Sequence, residues 1–113
     1  MVTVADVREL ARTLPRSSEH LIRDRVKFRV GSIVYVAFSR DETTMGFGYP
    51  REERDALIAG EPDLFFLPRP AELRFSWVCC HLARLDHPYM TELVTGAWRM
   101  VVPKFLARQW LGD

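Results

Sequence analysis

The run Cys79-Cys80-His81 holds the side chains of this chain that could do chemistry most directly. A thiolate beside an imidazole can begin a zinc site, or can form a nucleophile together with its general base. On an extended strand Cys79 and His81 would share one face, while Cys80 would point to the other. Two ligands are fewer than a zinc site needs, and only the fold could add His20 or His87. We therefore expect no metal, no cofactor and no enzymatic activity.

The composition predicts a single domain over residues 1–113, because 48% apolar residues in a chain of 113 are enough for one packed core. Adjacent cysteines would form a strained disulfide, and two free thiols suit a cytoplasmic protein. No apolar run approaches the roughly 18 residues of a membrane span, so no membrane partner is expected. With 16 basic and 15 acidic residues, the net charge of +1 provides no broad positive field. Binding of nucleic acid would therefore depend on local clusters of cations.

One such cluster is predicted on a strand. Lys27 and Arg29 alternate with apolar residues, so they should share a face, and Trp77 on another strand could lie near them. Phosphates and stacked bases are bound by this combination of positive charge and aromatic surface. The alternative is an ordinary solvated sheet face, with Trp77 packed in the core.

A second candidate cluster comes from the C-terminal part of the chain. Arg99, Lys104 and Arg108 fall near the ends of the last two predicted helices, where they could contact phosphate. Cations also interact favourably with the negative C-terminal end of a helix, which would explain the same three residues without a ligand.

Hydrophobic periodicity predicts the elements that position these side chains. Helices are predicted at 4–14, 50–59, 86–102 and 104–111, and strands at 26–30, 33–38, 43–49, 64–67 and 75–82. Gly31-Ser32 should form a two-residue hairpin turn. That hairpin would place Val30 opposite Ile33 and Phe28 opposite Tyr35. The order of elements predicts an α+β fold, an antiparallel sheet with helices packed on one face.

The chain resembles the MmcQ/YjbR family over about Asp6 to Arg108. The resemblance rests on residue types and spacing rather than on a catalytic motif. The matching residues are Leu14-Pro15, Ser18-Glu19, Phe28-Arg29-Val30, the strand 33–38, residues 45–49 leading into Pro50-Arg51-Glu52-Glu53, Phe65, Pro68, Trp77-Val78, Ala97-Trp98 and Pro103-Lys104. The sequence departs from the family at Phe47, where many members have a lysine.

The resemblance implies a YjbR/CyaY-like fold and a DNA-binding protein of the double-wing type, in a family whose members are largely uncharacterised. Fold likeness alone does not establish a function. On this basis the expected function is non-enzymatic DNA binding through Lys27, Arg29, Trp77, Arg99, Lys104 and Arg108.

The alternative function is a protein-binding or small-molecule-binding module that uses the open face of the sheet, with homodimerisation as one form of it. The predicted hairpin places Val34, Val36 and Phe38 on the same face as the two strand cations. That would be an unusually apolar surface for a monomer.

Overall fold

The computed structural model describes residues 1–112, and this part of the chain forms four α-helices and one six-stranded antiparallel sheet. The helices are α1 (Val4–Ala11), α2 (Arg54–Gly60), α3 (His87–Arg99) and α4 (Lys104–Leu111). The strands are β1 (Ser17–Ile22), β2 (Arg25–Val30), β3 (Ile33–Phe38), β4 (Thr44–Gly48), β5 (Phe65–Phe66) and β6 (Trp77–His81). The predicted α+β class is confirmed. None of the helices in residues 1–112 is long and apolar enough to span a membrane.

Side-chain caps fix where the helices begin. The Thr3 hydroxyl accepts a hydrogen bond from the Asp6 backbone N–H, and Asp6 in turn accepts one from the Thr3 backbone N–H. Asp86 caps α3 by accepting a bond from the Tyr89 backbone N–H at 2.8 Å. These caps satisfy backbone donors that have no partner inside the helix. The predicted starts of α1 at residue 4 and of α3 next to Asp86 are confirmed, although α1 ends at Ala11 rather than at residue 14.

The strands follow the order β1-β2-β3-β4-β6-β5, and the hydrophobic core lies between the sheet and the helices α1 and α3. Phe28, Val36, Phe47 and Val78 stand opposite one another across four adjacent strands, and all four are buried. On α3, Trp98 is fully buried and donates from Nε1 to the Pro15 carbonyl oxygen at 2.8 Å. This row of side chains defines the core face of the sheet.

The sequence reasoning missed β1 entirely. Its six residues, Ser17–Ile22, pair with all of β2, and the connecting turn at Arg23 and Asp24 has φ angles of 52° and 65°. A two-residue turn with both φ values positive is typical of a type I′ hairpin, usually marked by Asn-Gly or Asp-Gly. The turn residues here are Arg23-Asp24, so the sequence contains no dipeptide that signals this hairpin. The polar composition of β1 also hides the strand, because this edge strand buries little of its surface.

The register of the β2–β3 hairpin corrects one prediction. Val30 does pair with Ile33, but Phe28 pairs with Val36 rather than with Tyr35, because the register shifts between Phe28 and Arg29. Tyr35 is the extra residue of this β-bulge. Its side chain is buried, and its hydroxyl lies 2.5 Å from Ser17 Oγ.

The bulge changes which β3 side chains reach the open face of the sheet, which is the face away from α1 and α3. Val34 pairs with Arg29 and remains on the open face. Val36 pairs with Phe28 in the core, and Phe38 packs edge-on against the Phe28 ring, with both side chains 0% exposed. The prediction that Val36 and Phe38 form an open-face contact surface is therefore wrong. One inserted residue reverses the alternation that the prediction assumed.

Candidate functional site

The open face carries a row of side chains that crosses all six strands. Pairing in the ladder aligns His20, Lys27, Ala37, Gly46, Cys79 and Phe66 in that order from β1 to β5. At the centre of the row, Ala37 and Gly46 present little or no side chain. The middle of the sheet is therefore low, with larger groups on either side of it.

A segment between β5 and β6, residues 67–76, stands over this low centre and converts the face into a groove. Two cavities of about 840 and 560 Å³ adjoin each other there, and they share Arg25, Ala37, Arg69, Glu72 and Trp77 in their walls. We call their combined space the open-face groove. The smaller cavity adds Lys27 on the sheet side and Phe75 on the segment side. Cavities of this volume are typical of small-ligand sites.

Arg54 of α2 anchors the 67–76 segment. This arginine is only 8% exposed, and its guanidinium donates to the Phe75 and Trp77 carbonyls at 3.2 Å each and to the Leu73 carbonyl at 3.1 Å. Arg51, which is exposed, also donates a hydrogen bond to the Arg74 carbonyl. The sequence pattern only places Arg54 within the helix predicted at 50–59. No local pattern marks an arginine whose partners lie about twenty residues away.

Trp77 lies on the open face rather than in the core. Its side chain is half-buried and lines both cavities of the groove. A Cβ added at Gly46 would fall within 2.9 Å of Trp77 Cε2, so the indole ring rests directly on the β4 backbone. The interpretation that places Trp77 in the core is wrong. Gly46 therefore permits an aromatic ring to approach the strand closely, which any side chain at this position would prevent.

Three cations of β2 form a row on the open face: Arg25, Lys27 and Arg29, each half-buried. Among residues 1–112, none of the three has a carboxylate within ion-pair distance. Arg25 donates from Nε to the Phe38 carbonyl at 2.8 Å, and Arg29 Nε is buried without a hydrogen-bond partner. Sequence reasoning omitted Arg25, although the alternation that selected Lys27 and Arg29 extends to it.

The two acidic side chains beside the groove are already engaged. Glu72 accepts from Arg69 Nη2 at 2.7 Å, and Asp41 accepts from the hydroxyls of Ser39 and Thr43 at 2.7 Å each. These hydrogen bonds lower the pKa of Asp41, so this carboxylate stays ionised. Arg25, Lys27 and Arg40 thus line the groove without a carboxylate partner in residues 1–112.

The C-terminal cations do not join this row. Arg99 lies in the last turn of α3 and lines a different cavity, between α3 and the start of α2. Arg108 lies in the last turn of α4, where the helix dipole favours it. Lys104 is the first residue of α4, so the expectation that it stabilises a helix C-terminus is wrong. Of the predicted set, Lys27 and Trp77 therefore line the groove, and Arg29 extends the row of β2 cations beside it.

The two cysteines point to opposite faces, as predicted, and both are free thiols. Burial raises the pKa of Cys79 to about 11 and that of Cys80 to about 12. The His81 ring packs against Phe66, with centroids 4.6 Å apart. In the described part of the chain, no three His, Cys, Asp or Glu side chains are grouped so as to hold a metal ion.

The raised pKa of Cys79 predicts slow reaction with a soluble alkylating agent. At pH 8 we expect a rate about 20-fold below that of a free cysteine, because the thiolate fraction is roughly 200-fold smaller while each high-pKa thiolate is about tenfold more nucleophilic. The rate should rise about tenfold per pH unit toward pH 11, since the thiolate is the reactive form. Iodoacetamide labelling followed by mass spectrometry measures this profile. A plateau near pH 9 would show that burial does not control the thiol.

Residues 1–112 form an α+β domain of a class with one antiparallel sheet, a helical layer on one face and a groove on the other. A solved structure shares this fold: the Deinococcus radiodurans protein DR2400, which contains a DUF419 domain. The two superpose with a TM-score of 0.79 and 22% sequence identity, over 99% of this chain and 89% of that one. No protein-family model and no curated protein matches the sequence.

Proposed function

We propose that this protein is a non-enzymatic nucleic-acid-binding protein that uses the open face of its sheet. The observation that carries the proposal is the row Arg25, Lys27 and Arg29, three cations without carboxylate partners in residues 1–112, beside a groove lined by Trp77. Phosphate contacts by such cations supply most of the affinity of proteins for nucleic acids. These neighbouring cations create a local positive field, although the net charge of +1 gives the protein no broad one.

The geometry of β2 suits a repeating anion. Alternate residues of a strand lie roughly 6.7 Å apart on one face, so the three side chains offer evenly spaced positive charges. Because the groove runs beside them, a backbone bound along β2 would leave its bases facing Trp77. Aromatic faces of this kind stack on bases without reading their sequence.

The fold likeness to a DUF419 domain supports placing the chain in the MmcQ/YjbR family, which the sequence resembles and which has this type of fold. We propose that membership on the combined strength of the resemblance and the likeness. The DNA-binding description of that family agrees with the open-face proposal. Phe47, where many members carry a lysine, is buried in the core here, so β2 rather than β4 supplies the cations.

A charge-removal pair of variants tests the proposal. In Lys27→Gln/Arg29→Gln, the groove variant, the β2 row beside the groove loses two cations, while Lys104→Gln/Arg108→Gln removes the same charge from exposed positions of α4. Binding of a labelled oligonucleotide is measured by fluorescence anisotropy across about 50–200 mM salt. For the groove variant, the slope of log K against log salt should fall in magnitude by roughly 1.4 on single strands or 1.8 on duplex.

The α4 variant should keep the wild-type slope. Equal losses in both variants would indicate attraction by net charge alone, without a site on the open face. Wild-type binding that does not change with salt would rule out phosphate contact as the basis of recognition. Circular dichroism of both variants checks that they remain folded.

Of the alternative, a protein-binding or small-molecule-binding module on the open face, the homodimerising form has lost most of its support. Of its three predicted residues, only Val34 lies on the open face, because the β-bulge turns Val36 and Phe38 into the core. We therefore do not propose it.

A further inference from the structure

We propose that the ligand of the open-face groove is single-stranded, and that one unstacked base enters the 560 Å³ cavity between Lys27 and the aromatic pair Phe75 and Trp77. This inference rests on the proposed function and narrows it to one class of nucleic acid. It follows from the shape of the cavity and from the placement of its aromatic and charged groups.

The aromatic wall of the cavity is accessible and held in place. Phe75 is 50% exposed and lines the cavity. The Arg74 guanidinium lies over one face of the Phe75 ring, 4.7 Å from the ring centroid. The other face of the ring is left for a second planar group. The Phe75 and Trp77 carbonyls are both fixed by Arg54, so the two rings keep their separation.

The opposite wall carries the charge. Arg25 and Lys27 of β2 line the same cavity, and Ile33 and Met100 complete an apolar rim. A ligand that satisfies both walls needs an anionic group beside a flat apolar ring. A nucleotide unit, with its phosphate and its base, has that chemistry.

Duplex DNA cannot present that combination here. Its bases are stacked and paired in the interior, so a ring in the cavity would require an extruded base. The cavity has the volume of a small-ligand site, and the anchored 67–76 segment stands above the sheet, so the whole thickness of a duplex does not fit within it. A single strand offers unstacked bases without that cost.

The test compares binding of a labelled thymidine oligonucleotide, about 12 residues long, with binding of the same strand in duplex form. The variants are Phe75→Ala and the matched control Phe105→Ala, whose exposed ring lies on α4 away from the groove. We expect the single strand to bind at least tenfold tighter than the duplex. Phe75→Ala should weaken single-strand binding about tenfold, a typical loss for one stacked base. It should leave duplex binding unchanged, and Phe105→Ala should change neither.

Four results would overturn the inference. If duplex binds as tightly as single strand and still depends on Lys27 and Arg29, the proposed function stands and the single-strand inference fails. If a folded Phe75→Ala variant binds the single strand with unchanged affinity, no base occupies the cavity. Competition by thymidine monophosphate at the same concentration as the oligonucleotide would identify a free nucleotide as the ligand instead. Absence of binding to either form at low salt would end both the inference and the proposed function.

Discussion

Replacing the buried arginine, in the variant Arg54→Met, is expected to lower the free energy of unfolding by about 3 kcal/mol, because hydrogen bonds to a charged group contribute roughly 1.5–3 kcal/mol each and are not fully additive. Methionine retains much of the apolar stem but donates to none of the three carbonyls at Leu73, Phe75 and Trp77. Urea unfolding measures the change. The 67–76 segment should also become accessible to limited proteolysis, since its anchor is gone.

Arg51→Met is the matched control. Arg51 precedes Arg54 by one helical turn and also donates to the segment, at the Arg74 carbonyl, but it is exposed. Its replacement should cost no more than about 0.5 kcal/mol, as surface substitutions usually do. Equal losses for the two variants would mean that the buried guanidinium is not the anchor of the segment.

The second large effect is expected from Gly46→Ala, which should destabilise the protein by about 2 kcal/mol. The new methyl group would meet the rigid indole of Trp77, with Cε2 at 2.9 Å, so the ring must leave its place on β4. The displacement would also deform the groove, because Trp77 lines both of its cavities.

A double-mutant cycle identifies the cause. In a Trp77→Leu background the added methyl group has no indole to displace, so Gly46→Ala should become nearly neutral there. Gly96→Ala is the control with the opposite sign. Gly96 lies inside α3 with nothing within 4 Å of its added Cβ, so alanine should stabilise the helix by about 0.5–1 kcal/mol. If Gly46→Ala still destabilises the protein in the Trp77→Leu background, the backbone and not the indole requires glycine at this position.

Much of the fold could be predicted because local residues determine it. Asp86 and Pro103 mark where α3 and α4 begin, and the alternation of Val26, Phe28 and Val30 marks a strand. Gly31, with φ of 59°, supplies the turn that joins β2 to β3. Each of these features depends on residues close in sequence, and such features can be recognised without knowing the rest of the fold.

The errors arose where tertiary structure overrides the local pattern. The apolar run of β3 contains no alternation that could reveal a bulge, so Val36 and Phe38 were assigned to the wrong face. The polar strand β1 has no apolar period, and its edge position explains why it needs none.

The site was only partly predictable for the same reason. Lys27 and Arg29 follow from alternation along one strand, and Arg25 should have been added by the same rule. The groove itself depends on Arg54 and on a segment that returns over the sheet. These contacts join residues about twenty positions apart, and no spacing in a single sequence specifies them.

We expect nucleic acid to bind to the open face of the sheet through the β2 cations. Amide chemical-shift mapping during titration of the ¹⁵N-labelled protein with the thymidine oligonucleotide at low salt tests it most directly, since it locates the contact without any substitution. The largest shifts should fall on Arg25–Val30 of β2 and on the residues around Phe75 and Trp77, while α4 changes little. Shifts concentrated on α4 and the end of α3, or no shifts at low salt, would contradict it.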